Sequence, residues 1–197
     1  MTTQIHFILD RSGSMEDGLE SYINGFNSFL DTQIKEESDT ACMSLYQFDH
    51  EYQVIYQNSP MKEVNKLSID TFIPRGRTAL FDAIGKTIKT IKKKKNETII
   101  IVVLTDGEEN DSKEFTSKRI SNMISKKKDK GWEFIYLGAN QDAILEGGKI
   151  GINRQSSLTF DQNKEGIEEC FRSLGNAVSS YRKTPLKERR EKSVSFI

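Results

Sequence analysis

Short apolar runs alternate along the chain with stretches in which apolar residues recur every three or four positions, a pattern that predicts strands and helices in turn. Ile5 to Leu9 is almost wholly apolar and stops at Asp10, as suits a strand covered on both faces. Polar His6 interrupts that run and is expected to be a packed residue with a hydrogen-bond partner. From Met15, the positions Leu19, Ile23, Phe26, Leu30 and Ile34 keep helical spacing, widened by Tyr22 and Phe29. Met43 to Phe48 and Tyr52 to Tyr56, split by Asp49, His50 and Glu51, have the spacing of a hairpin. Pro60 to Ile69 has room for a short helix, and Pro74-Arg75-Gly76-Arg77-Thr78 marks an irregular loop.

Leu80, Ile84, Ile88 and Ile91 fall on one helical face. Ile99 to Leu104 is the most hydrophobic stretch and is dominated by branched residues, which predicts the central strand of a sheet. A weaker helical pattern runs through Phe115, Ile120, Met123 and Ile124, and a strand follows over Trp132 to Leu137. Asn140 to Lys149 reads as a short helix, Leu158 and Phe160 as a brief edge strand, and Ile167, Phe171, Leu174, Val178 and Tyr181 as a last amphipathic helix. The alternation predicts a doubly wound α/β fold: a mostly parallel sheet, one antiparallel edge strand from the hairpin, and helices on both faces. Residues 1–182 form one domain in this reading. The tail, 183–197, lacks periodicity and is expected to be flexible, with docking as an added strand or on an acidic surface as its alternatives.

Composition narrows the function classes. The 29 Lys and Arg balance the 29 Asp and Glu, so net charge gives no reason to expect nucleic-acid binding. Lysine runs at 92–95 and 126–130 follow helical patterns and are expected to be solvated helix ends. The two cysteines, Cys42 and Cys170, have neither zinc-ligand spacing nor a pattern that requires a disulfide. Met1 to Gln4 lead directly into a strand, and no apolar run reaches a membrane span, so a cytoplasmic protein is the expectation.

Chemistry concentrates at predicted strand ends. Asp10, Ser12 and Ser14 follow the first strand, Thr78 precedes a helix, and Asp106 follows the most apolar strand. All five offer oxygen and none offers sulfur or imidazole, which suits a hard cation, Mg²⁺ first, with Mn²⁺ or Ca²⁺ as alternatives. Two carboxylates and three hydroxyls leave a magnesium ion room for water or an outside oxygen. Taken singly, each part has an ordinary role: Asp10 and Ser12 as caps of the helix near Met15, Thr78 as cap of the helix at Ala79, Asp106-Gly107 as a turn.

The order Asp10-Arg11-Ser12-Gly13-Ser14, a distant Thr78, then Thr105-Asp106-Gly107 resembles the metal-ion-dependent adhesion site of von Willebrand factor A domains. The resemblance implies that Ser12, Ser14 and Thr78 touch a metal directly or nearly so, with Asp10 and Asp106 acting through water or by orienting the hydroxyls. It also implies a protein partner that completes the metal shell with a carboxylate, and in some members the last helix shifts on ligand binding. Leu137-Gly138-Ala139-Asn140-Gln141-Asp142-Ala143, with the later helix through Phe171, looks like the stand-alone intracellular members of prokaryotes and their phages. Arg11, Glu16, Asp49, His50, Arg75, Arg77, Glu108, Glu109 and Asn110 are expected on or beside the same face. Arg75 and Arg77 are positioned in sequence to assist an acidic ligand or to stay solvated. The acidic run at 108–111 is expected to be the solvated start of a helix.

Two other readings compete. A family member that interacts without metal through another face would leave Asp10 unused. A Mg²⁺-dependent phosphotransfer enzyme with Asp10 as nucleophile would usually carry a second aspartate two residues on, where this chain has Ser12. No phosphate-cradling GxxxxGK[ST] run occurs, and His6 and His50 are the only histidines, so an enzyme is not expected.

Overall fold

The computed structural model describes residues 2–185, 187–189 and 192–197. Strands β1 (Thr2–Asp10), β2 (Thr40–Phe48), β3 (Tyr52–Pro60), β4 (Glu97–Thr105), β5 (Trp132–Ala139) and β6 (Ser157–Phe160) form one sheet in the order β3-β2-β1-β4-β5-β6. All neighbouring pairs are parallel except β2 with β3. The winding therefore reverses at β1 and β4, and the crevice between their carboxyl ends is where open α/β sheets place ligands.

Alternate residues of the central strands feed two cores. Ile5, Phe7, Leu9, Ile100 and Val102 face α1 (Leu19–Lys35) and α5 (Lys164–Lys183). Ile8, Ile99, Ile101 and Val103 face α2 (Leu80–Thr90) and α3 (Ser117–Lys128), with α4 (Ala143–Lys149) beside them. The helices α1 and α5 pack closely because Gly25 presents no side chain to Phe171, whose ring would lie 2.1 Å from an added Cβ. His6 is sealed in the core, its ring nitrogens 3.1 Å from the Tyr46 hydroxyl and from Gln4 Oε1, and burial pushes its pKa down to about 3.

Some elements depart from the sequence pattern. The first helix starts at Leu19, because Gly18 takes a φ of 129° that breaks it from a 3-10 turn over Gly13–Glu16. The segment expected to hold a short helix has only one 3-10 turn, Met61–Glu63, since Pro60 completes β3 and Asn27 binds both backbone groups of Leu67, at 2.8 and 3.0 Å. The acidic run is not the start of α3, which begins at Ser117 behind the Thr116 cap. Instead Glu109 accepts backbone N–H groups from Phe81, Asp111 and Ser112.

The last helix ends at Lys183, one residue past the expected domain boundary. Part of the tail expected to be flexible, Leu186, Arg190 and Glu191, lies outside the described residues. The described remainder lies on the body: Val194 is buried and its carbonyl accepts the Ser156 hydroxyl at 2.7 Å, while Phe196 N–H donates to the Gln155 carbonyl at 2.9 Å. Among the described residues no helix is long and apolar enough to cross a membrane.

Candidate metal centre

The carboxyl ends of β1 and β4 bring the predicted oxygens together. Asp10 is fully buried at the end of β1, where its Oδ1 accepts the Ser12 N–H at 2.6 Å and its Oδ2 accepts the Thr105 hydroxyl at 2.6 Å. The turn carries Ser12 and Ser14 round until their Oγ atoms lie 3.2 Å apart, and Ser14 Oγ donates to Asp106 Oδ1 at 2.7 Å. Burial raises the Asp10 carboxyl to about 7; neighbouring Asp106 adds to the rise, and the Thr105 and Ser12 hydrogen bonds oppose it. Asp106 is also raised by burial, against the hydrogen bonds from Ser14 and Gln162.

Thr78 reaches the same place from a distant loop. That loop is stitched to the first turn by Arg75 N–H to the Arg11 carbonyl, 2.7 Å, and Gly13 N–H to the Gly76 carbonyl, 3.3 Å. Gly76 is required there: its φ is 69°, and an added Cβ would sit 2.2 Å from His50 Nδ1. Asn110 then clamps Thr78, its Oδ1 accepting the Thr78 N–H at 3.0 Å and its own N–H donating to the Thr78 carbonyl at 3.0 Å. A Cβ built on Gly107 would lie 3.0 Å from Thr78 Oγ1 and 3.9 Å from Ser14 Oγ, so both hydroxyls lie close to Gly107, next in the chain to Asp106. Thr78 is buried as a residue, and its hydroxyl makes no hydrogen bond to any described residue.

These contacts remove the capping alternatives for the serine and the threonine. Ser12 precedes the 3-10 turn without a side-chain cap, and Ala79, not Thr78, is the N-cap of α2. The donor set suits a hard cation, with two carboxylates burdened by burial, two serine hydroxyls already in line and a threonine hydroxyl without a partner.

A second group of potential ligands lies on the neighbouring hairpin turn, where Asp49, His50 and Glu51 offer three atoms within 4.8 Å of one another. Arginines already neutralise it. Asp49 Oδ2 accepts Arg11 Nε at 3.0 Å and Arg75 Nε at 2.9 Å, and Arg75 also pairs with Glu51. This use of Arg75 draws it away from the role of greeting an acidic ligand, whereas Arg77 stays exposed with Asp111 at 3.8 Å.

Gln162, in the loop after β6, is a site neighbour that sequence reasoning missed. Its Nε2 donates to Asp106 Oδ2 at 2.7 Å and to the Ser14 carbonyl at 3.0 Å. A lone glutamine between Asp161 and Asn163 carries no signal by itself. Thr105 was part of the recognised run but not of the five expected ligands; its hydroxyl orients Asp10.

A family model described as von Willebrand factor type A domain matches residues 4–172. Comparison with curated proteins returns no match. Among solved structures, the fold is similar to proximal thread matrix protein 1 from the mussel byssus with a zinc-occupied MIDAS motif, at TM-score 0.69 and 14% identity over 90% of this chain and 46% of that one. The chain thus spans about half the length of that relative. It is also similar to the vWF domain of the type V pili tip protein Mfa5 from Porphyromonas gingivalis, at TM-score 0.72 and 10% identity over 93% of this chain and 97% of that one. A third is the ArnB paralog VWA2 from Sulfolobus acidocaldarius, at TM-score 0.55 and 19% identity over 91% and 44% of the respective chains. At these identities the likeness establishes the fold alone.

Proposed function

The chain belongs to the von Willebrand factor type A family, and from that premise we propose that it is a metal-dependent protein-interaction module whose face at Asp10 binds an acidic group of a partner. The observation that carries this reading is the pair of burdened carboxylates, Asp10 and Asp106, surrounded by hydroxyls and without an ion pair to any described residue. Ser12, Ser14 and Thr78 would hold the ion, Mg²⁺ by donor chemistry, with Asp10 and Asp106 behind them orienting the hydroxyls or bound water. A divalent cation there supplies an open position for an oxygen ligand.

The protein's own residues set the face. Thr105 and the Ser12 N–H fix Asp10, Gln162 and Ser14 fix Asp106, and Asn110 fixes Thr78. Exposed Arg77 borders the site and favours an anionic partner. We read the site as binding rather than catalysis: His6 is sealed in the core with both ring nitrogens engaged, and His50, on the neighbouring turn, has its Nδ1 3.3 Å from Asp49 Oδ1. A cytoplasmic setting and a partner that donates a carboxylate complete the proposal.

An electron paramagnetic resonance titration with Mn²⁺ tests it, with glutarate as the carboxylate probe. The proposal expects stoichiometric loss of the free-ion signal and a change in the bound-ion spectrum when glutarate is added. No Mn²⁺ uptake at millimolar concentration would favour the metal-free scaffold instead.

A further inference from the structure

The pole opposite Asp10 carries a second concavity of different character. The turn from α2 into β4 and the turn from α3 into β5 close on a cavity of about 550 Å³, with Tyr181 and Arg189 also contributing to its wall. Six cationic side chains line it, Lys93, Lys94, Lys95, Lys128, Lys130 and Arg189, against two acidic ones, in a chain of zero formal net charge.

Structural duties account for half of these cations. Lys128 donates to the Gly151 carbonyl at 3.1 Å and to Asn153 Oδ1 at 2.8 Å, and Lys93 donates to the Lys130 carbonyl at 2.8 Å. Arg189 is buried, held by Thr98 Oγ1 at 3.0 Å and the Thr184 carbonyl at 2.7 Å, and its charge is met by Asp39 at 3.6 Å. Lys94, Lys95 and Lys130 remain. Each is exposed, and none of their ammonium groups makes a hydrogen bond or ion pair with a described residue. Lys94 and Lys95 lie beyond the last turn of α2, so compensation of a helix C-terminus does not account for them, whereas Lys130 directly follows the C-cap of α3. Asn96, with φ 68°, and Gly131, with φ 72°, turn their loops back into the sheet, and both loops line the one cavity. Exposed like charges gathered around one concavity concentrate positive potential there and attract an anion, an effect that salt screens.

We propose that this cavity binds a compact polyanion bearing several phosphate groups, held by the ammonium groups of Lys94, Lys95 and Lys130 at its rim. Concavity favours a compact anion over a nucleic-acid duplex, which needs an extended basic face. Ammonium groups with three donors each match phosphate oxygens from several directions. A free polyphosphate and the triphosphate of a nucleotide share this chemistry. The proposal is independent of the metal reading, because the two sites occupy opposite ends of the sheet.

Isothermal titration of the metal-stripped 197-residue chain with sodium tripolyphosphate, and in parallel with ATP, provides the test. Saturable binding that weakens with added salt is expected, and binding of ATP as well would assign the nucleotide's phosphates to the same cavity. The Lys94→Ala/Lys95→Ala/Lys130→Ala variant, altered only at exposed positions and checked by its melt, should bind at least about tenfold more weakly. Asp10→Ala should bind like the wild type, which separates this cavity from the face at the other pole. No binding at millimolar tripolyphosphate and low salt, or undiminished binding by the triple variant, would overturn the proposal. So would equal affinity for a polyglutamate peptide of matched charge, which would assign the cavity to acidic protein segments.

Discussion

Asp10 and Asp39 lie near opposite ends of β1, and the protein treats them in opposite ways. The Asp39 side chain is 1% exposed, and Arg182 pairs with it at 2.9 Å, Arg189 lies at 3.6 Å and Thr3 donates a hydrogen bond. Asp49 is handled likewise by Arg11 and Arg75. Asp10, equally buried, has only a hydroxyl and a backbone N–H as donors, and its charged neighbour is another carboxylate, Asp106. Asp82 is buried without an arginine as well, but three backbone N–H groups, of Lys113, Glu114 and Phe115, solvate its carboxylate. Asp10 has neither an arginine nor such a backbone cradle and faces a second carboxylate, which leaves its place to a cation from outside. Removing the partner of a buried charge is costly, so the contrast has measurable consequences.

The largest effect comes from making Asp39 resemble Asp10. Arg182→Ala strips the main counter-charge from Asp39 and abandons its bonds to the Gln33 carbonyl and Oε1, so urea unfolding should show a loss of about 3–5 kcal/mol. Added Mg²⁺ should not restore it.

Thr78→Val sharpens the comparison from the other side. Because the Thr78 hydroxyl has no described protein partner, stability in EDTA should change by less than about 0.5 kcal/mol. Mn²⁺ affinity should fall about tenfold, or about 1.4 kcal/mol, by calorimetry. Gln162→Ala removes one hydrogen bond to Asp106 and should weaken Mn²⁺ binding by about 1 kcal/mol.

The smallest effect concerns a third way of neutralising a carboxylate, by a proton. Burial raises Glu133 from 4.5 to about 7, against the opposing hydrogen bond from Val194 N–H. The native state then holds this proton more tightly than the unfolded chain. Its contribution to stability should be present below pH 4.5 and lost as pH rises through about 7. Denaturant melts across this range should show a shallower decline for Glu133→Gln than for the wild type; parallel curves would remove Glu133 from the account.

The sheet and its helices were legible because burial on both faces leaves near-continuous apolar runs such as Ile99 to Leu104, and because helical spacing survives in α2 and α5. The five oxygens were expected together for a different reason: four of them lie at or just beyond the ends of β1 and β4, where an open α/β sheet converges its loops, and Thr78 comes from the loop before α2. Tertiary bonds hid the remainder. Asn27 holds Leu67 in an extended segment that its own residues would allow to be helical. Gln162 approaches Asp106 from 56 residues away, through the placement of an edge strand of only 4 residues. The acidic run looked like a helix start because charge spacing does not reveal that Glu109 turns inward to hold the Phe81 N–H.

The most direct test of the central claim is a thermal melt of wild type and Asp10→Ala in EDTA, Mg²⁺ and Mn²⁺. At about a hundredfold excess over the dissociation constant, a cation that binds only the folded state should add about 2.7 kcal/mol. For a chain of this size that is a rise of several degrees, about 2–4 °C per kcal/mol. The account predicts this rise in the wild type and none in Asp10→Ala. An equal rise in both proteins, or none in the wild type at millimolar metal, would contradict the assignment of a cation to the Asp10 face.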